Sequence, residues 1–153
     1  MVEFDAEAYN AASNMFEMAK TIRRSLPALV EQIADSYSVL GSPAPDGMPK
    51  AKGGGNATED RMVRHSDLMM RMEAKRDEYR QVVDDCESVV EDMESRFDDN
   101  AAFLRYHFMQ GMSQAKAAKR CGYVKEYGKE KAEIALVHAA RSMRSLGLVM
   151  KYS

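Results

Sequence analysis

The side chains that could do chemistry in this 153-residue chain are three histidines, two cysteines and 24 carboxylates. An imidazole becomes a general base or a metal ligand only when a second group is held against it. His65, His107 and His138 are far apart and fall in segments whose patterns differ. No catalytic or metal-binding set is expected from them. His65 occupies an apolar seam and is expected to set register or partner choice there. His107 is expected to pack within a short helix. Cys86 and Cys121 fit neither a disulfide framework nor a zinc pattern, which suits a reducing compartment. Cys121 is expected to be a small buried hydrophobe. The triple glycine at 53–55 follows no strand, so it is flexibility and not a phosphate loop. The sequence therefore predicts no enzyme, no cofactor and no metal.

Charge is the more informative chemistry. The formal net charge of −2 is the sum of two unlike parts. Residues 1–100 carry 21 Asp/Glu and 12 Lys/Arg, a net of −9, whereas residues 101–153 carry 3 and 10, a net of +7. A basic tail points to a polyanion, because Lys and Arg that neutralise phosphates release condensed counterions. The carriers would be Lys116, Lys119, Arg120, Lys125, Lys129, Lys131, Arg141 and Arg144. No apolar run approaches the roughly 18–20 residues of a membrane span. The opening MVEFDAEAYN lacks the basic, then apolar, layout of a signal peptide, so a cytoplasmic location is expected.

Long helices must position these charges. From about Asp5 to Leu40, apolar residues recur at Met15, Ala19, Ile22, Leu26, Leu29, Ile33, Tyr37 and Leu40, steps of three and four that predict one face of a helix. Pro27 lies inside it and predicts a kink or break. Residues 41–57 hold three prolines and five glycines and read as a flexible loop. A second helix is predicted from about Thr58 to Phe97, with Asn56 and Glu59 as a capping box. Its seam reads Met62, His65, Met69, Met72, Arg76, Tyr79, Val83, Cys86, Val90, Met93 and Phe97. The Met-rich stripe is core rather than a cofactor site. Two such helices joined by a loop predict an antiparallel, coiled-coil-like hairpin over 1–99, with homodimerisation along the seam.

After residue 99 the pattern shortens. Asn100 is the predicted N-cap of AAFLRYHFMQ, Gly111 ends that helix, and Ser113 caps SQAKAAKRC, which Gly122 ends. A last helix from about Lys129 to Leu146 is expected to turn Ile134, Val137, His138 and Met143 inward. Short helix, turn, short helix, turn, longer helix is a helix-turn-helix layout. The fold class is thus all-α: a long helical hairpin over 1–99 followed by a helix-turn-helix unit over 100–153.

YHFMQGMSQAKAAKRCGY, residues 106–123, resembles the helix-turn-helix of sigma factor region 4 and of the small phage and prophage regulators built on it (the ArpU/RinA type). Tyr106, Phe108, Met109, Gly111, Ser113, Ala117, Ala118, Cys121, Gly122 and Tyr123 stand at the matching places. IALVHAARSM, residues 134–143, is similar to part of the recognition helix. Gly47-Met48-Pro49, Gly53-Gly54-Gly55 and DRMVRHSDL follow the order of the upstream region. VKEYGKEKAE, residues 124–133, is several residues longer than the family's connection. The resemblance implies a DNA-binding transcription regulator of a phage or mobile element, acting in the bacterial cytoplasm. Ser113, Gln114, Lys116, Lys119, Arg120, Lys125, Tyr127, Lys129, Lys131, Arg141 and Arg144 would contact double-stranded DNA. Glu126, Glu130 and Glu133 interrupt that basic face, and an alternative follows from them. In it, the chain binds and modulates a host protein (RNA polymerase, a defence nuclease or a packaging enzyme) through its hairpin and its acidic 84–99 run.

Overall fold

The computed structural model describes residues 4–41 and 55–153, with the side chains of 38–41 and 55–58 excepted. The fold is all-α, with no strand among the described residues. Helix α1 spans Ala6–Gly41 and α2 spans Gly55–Ser95. Then come α3 (Asn100–Leu104) and a π-helical turn (Arg105–Met109). Helix α4 (Gln114–Arg120), a 3-10 turn (Lys125–Tyr127), α5 (Gly128–Leu146) and α6 (Val149–Tyr152) complete the order. Of the expected loop at 41–57, residues 42–54 lie outside the described residues, while Gly41 ends α1 and residues 55–57 are already helical. Helix α2 begins at Gly55, ahead of the predicted cap at Asn56.

The described chain divides into two compact units. One joins the residues up to Arg24 with Tyr79–Ser153, and the other is Ser25–Glu78. The sequence pattern changes at 99/100, but the larger unit crosses that point. Helix α1 is continuous through Pro27. The lost backbone donor costs about 3 kcal/mol in a helix interior, and the flanking turns keep their own hydrogen bonds.

In the smaller unit, Ile33 and Met69 are buried, and the Tyr37 hydroxyl donates to the Glu73 carboxylate. Of the expected seam, Met69 is buried, Met72 and Arg76 are half-buried and Met62 is exposed, so it is buried only in part there. His65 is half-buried, and its Nε2 has no hydrogen-bond partner among the described residues.

The larger unit holds the principal core. A chain without Trp fills it with alanine backbones in close approach and with a few large side chains. Ala8, Ala11, Ala12, Met15, Phe16, Ala19 and Ile22 of α1 are buried, as are Val82, Cys86, Val89, Val90 and Met93 of α2. The Cys86 thiol lies 3.8 Å from the Met15 carbonyl oxygen. Burial pushes that thiol up to about 12, so it is inert. Phe16 meets Phe108 at 5.5 Å between ring centroids, and Phe108 meets His107 at 4.5 Å. Phe16 and Phe108 each remove roughly 150–250 Å² from water, which places them among the largest single contributors to the core.

Polar side chains fix the ends. Asp5 caps α1 by accepting from the Ala8 amide at 3.0 Å. The predicted Asn100 cap is corrected: Asn100 is the buried first residue of α3. The acceptor is Asp98, whose carboxylate takes the Asn100 amide at 3.0 Å and the Asn100 Nδ2 at 2.9 Å. The C-terminal helix is anchored to α2 through Asp85. That carboxylate receives Tyr152 Oη at 2.5 Å, Lys151 Nζ at 2.7 Å and Gln81 Nε2 at 3.0 Å.

Candidate nucleic-acid interface

Helix α4 is short and rests on two buried alanines, Ala117 and Ala118. Small side chains there bring α4 against α5 and the π-helical turn. Ser113 caps it, its hydroxyl accepting from the Lys116 amide at 3.1 Å. Gly122 has φ +88, and the Tyr123 amide closes the end on the Ala118 carbonyl at 2.9 Å. The remaining side chains of α4 therefore point to solvent. They are Gln114, Ala115, Lys116, Lys119 and Arg120, all exposed, with no carboxylate among them. The Arg120 guanidinium also lies 5.4 Å from the Tyr106 ring centroid.

The 124–133 segment is mostly helix rather than loop. Lys125–Tyr127 form one 3-10 turn, and α5 starts at Gly128. Gly128 is the crossing point of α4 and α5: a Cβ there would stand 2.7 Å from both the carbonyl carbon and the oxygen of Gln114. Lys125 and Lys129 are exposed on either side of this crossing, and Tyr127 is half-buried with its ring 5.4 Å from that of Tyr123.

Two expected outward cations are placed otherwise. Lys131 is 4% exposed, with its ammonium 4.4 Å from the Tyr123 ring centroid and 3.4 Å from the Tyr123 hydroxyl. Burial of the Lys131 stem follows from its position one turn into α5, on the side that faces the 121–123 turn. Arg144 is exposed but engaged: its Nε and Nη2 each lie 3.0 Å from the Asp5 carboxylate, and Glu7 is 3.5 Å away. Burial of α5 also departs from expectation. Met143 is fully buried, yet Ile134 is 37% exposed, and Ala132, Ala135, Ala139 and Ala140 form the inner stripe instead. Alanine was the missed signal, because its weak hydropathy hides a close-packed face.

His138, half-buried, is held in a polar cluster. Its Nδ1 is 2.7 Å from Asp98 Oδ2 and 3.3 Å from Asn100 Nδ2. Burial alone would raise the Asp98 carboxyl. The Asn100 amide, His138 and the Asn100 side chain outweigh it and hold the group below the usual carboxylate range. His107 is buried and packs on Phe103, with Nδ1 2.7 Å from the Met112 carbonyl; burial lowers its pKa. Cys121 is half-buried rather than buried, and desolvation raises its thiol.

The arrangement brings five exposed cations, Lys116, Lys119, Arg120, Lys125 and Lys129, onto α4, the 3-10 turn and the start of α5. Arg141 is exposed further along α5, beside a cavity of about 410 Å³ walled by Phe4, Tyr9, Val137 and Ala140. Glu126, Glu130 and Glu133 are exposed among the leading turns of α5. No group of three or more metal-ligating side chains stands together among the described residues. No described helix is long and apolar enough to cross a membrane. No family model, no curated relative and no solved structure matches the chain.

Proposed function

We propose that the chain binds double-stranded DNA through α4 and α5, used as a helix-turn-helix, and regulates transcription in a phage or mobile element within the bacterial cytoplasm. One observation carries the reading: α4 exposes Lys116, Lys119 and Arg120 with no carboxylate, and Lys125 and Lys129 extend that charge across the crossing at Gly128. The sigma region 4-like pattern over 106–123 supports it. Phosphate contacts of this kind set affinity and register. Lysine is a less discriminating reader of base edges than arginine, so most of the affinity would be independent of sequence. An electrophoretic shift with random duplex at 50 mM salt tests the reading. A retarded band is expected, and its loss on replacing Lys116, Lys119 and Lys125 together by Glu. An unshifted duplex at that salt would refute it.

The exposed Glu126, Glu130 and Glu133 favour a second reading, in which the chain contacts a host protein through its helical hairpin and the acidic 84–99 run instead. A pull-down from bacterial lysate with and without nuclease separates the two. A partner kept after nuclease supports the second reading; one lost after nuclease supports the first.

A further inference from the structure

The turn between α2 and α3 carries an aromatic side chain that the core does not use. The α2 seam predicts Phe97 inward, but the helix ends at Ser95 and Phe97 is 94% exposed. Its φ is +58, the left-handed region that bulky residues rarely enter. The turn is built firmly enough to hold it there. The Phe97 amide donates to the Glu94 carbonyl at 3.0 Å, and the Asp98 amide to the Met93 carbonyl at 3.0 Å.

Phe97 stands at the mouth of a cavity of about 710 Å³, whose walls include Ala101, Ala102, Tyr106 and Cys121. The lip on the Phe97 side is acidic. Glu94 is taken by Arg105 and Asp98 by His138, but Asp99 is exposed and forms no ion pair among the described residues. Arg120 also lines the cavity, exposed and likewise without an ion pair among the described residues. One patch thus holds an aromatic knob, a hole with an apolar floor at Ala101 and Ala102 and a charged rim, and a negative and a positive charge without ion-pair partners among the described residues. A two-fold interface uses the same patch on both partners, so it needs both members of each complementary pair within that patch.

We propose that this face binds a second copy of the chain about a two-fold axis. Phe97 of each copy enters the cavity of the other, and Asp99 of each meets Arg120 of the other. The inference stands whether or not DNA is the ligand of α4; in the dimer Arg120 serves this contact, and Lys116, Lys119, Lys125 and Lys129 remain for phosphate. Two buried Phe rings with their polar lips lie at the low end of specific interfaces, so the dimer is expected to be weak, with a dissociation constant in the micromolar range.

Sedimentation equilibrium of the full chain without DNA, over a concentration series into the hundreds of micromolar, tests it. The mass should rise from 17.2 kDa toward twice that value. Asparagine tolerates the left-handed conformation, so Phe97→Asn removes the ring without disturbing the turn. It should weaken association at least tenfold while the circular dichroism spectrum stays unchanged. D99R and R120E should each weaken association, and the double variant should recover it. A chain that stays monomeric throughout would overturn the proposal. So would a dimer indifferent to Phe97→Asn, which would place the contact elsewhere, or a double charge swap no better than the single ones.

Discussion

Gly128 sits against the Gln114 carbonyl, so close that a methyl group there would stand 2.7 Å from its carbon and oxygen. Two helices meet backbone to backbone at this point, and the neighbour that would have to yield is peptide rather than a flexible side chain. Helix propensity argues the other way, since Ala is favoured over Gly by about 1 kcal/mol in a helix interior. The contact decides the sign. Gly128→Ala should destabilise the fold by roughly 1–3 kcal/mol. A lower urea midpoint at unchanged m value is the expected observation; a higher midpoint would show that α4 and α5 do not touch here.

Asp85 should be worth more than its single charge suggests. It is 7% exposed and accepts from Tyr152, Lys151 and Gln81. Removing Tyr152 Oη leaves the carboxylate two donors, so Tyr152→Phe should cost about 1–1.5 kcal/mol. Removing the acceptor strands the buried Tyr152 hydroxyl, and Asp85→Ala should cost about 2–3 kcal/mol. Thermal melts of the two variants and their double mutant check this; additive losses would mean that the pair is not coupled.

Acid should loosen the same unit. The carboxyls of Asp85 and Asp98 are both held below their ordinary value. Burial opposes this in each case, and the hydrogen bonds they accept overcome it. A carboxyl with a depressed folded value contributes stability that is fully present above the unfolded value, about 3.9, and is lost as pH falls through the folded one. Chemical denaturation curves from pH 7 to pH 2.5 should show these contributions constant above about pH 5 and declining below about pH 4. Asp98→Asn should flatten that decline, and an unchanged slope would speak against the His138–Asn100 cluster as its source.

Buried and exposed lysines should separate in function. Lys131 is buried against the ring of the exposed Tyr123, so Lys131→Met keeps most of the volume and removes a buried charge. Duplex affinity should change less than about twofold, and stability should hold or rise by up to about 1 kcal/mol. Lys116→Ala with Lys119→Ala should instead weaken duplex binding uniformly across sequences and reduce the salt slope by about 2. Equal losses from both variants would put Lys131 back among the contacts.

What could be read in the sequence follows from period and punctuation. The three-and-four spacing announced α1 and α2, and Ser113, Gly111 and Gly122 marked ends that the backbone uses, with φ of +80 and +88 at the two glycines. Alanine was less legible. Ala8, Ala11 and Ala12 in α1 and Ala135, Ala139 and Ala140 in α5 are buried because helices approach closely, and a weak hydropathy gives no sign of that. Ile134 looked inward and is half out for the same reason. Phe97 continued the seam by spacing, but the turn after Ser95 swung it outward. Lys131 and Arg144 read as free cations because Tyr123 is eight residues from one and Asp5 is 139 from the other. Engagement by a partner elsewhere in the chain leaves no trace in local charge.

The claim that α4 and α5 grip duplex DNA is tested most directly by fluorescence anisotropy of a labelled duplex titrated with the protein between 50 and 200 mM salt. Three to five phosphate contacts from Lys116, Lys119, Arg120, Lys125 and Lys129 predict a slope of log affinity on log salt of roughly −3 to −5. Absence of binding at 50 mM, or binding with no salt dependence, would contradict it.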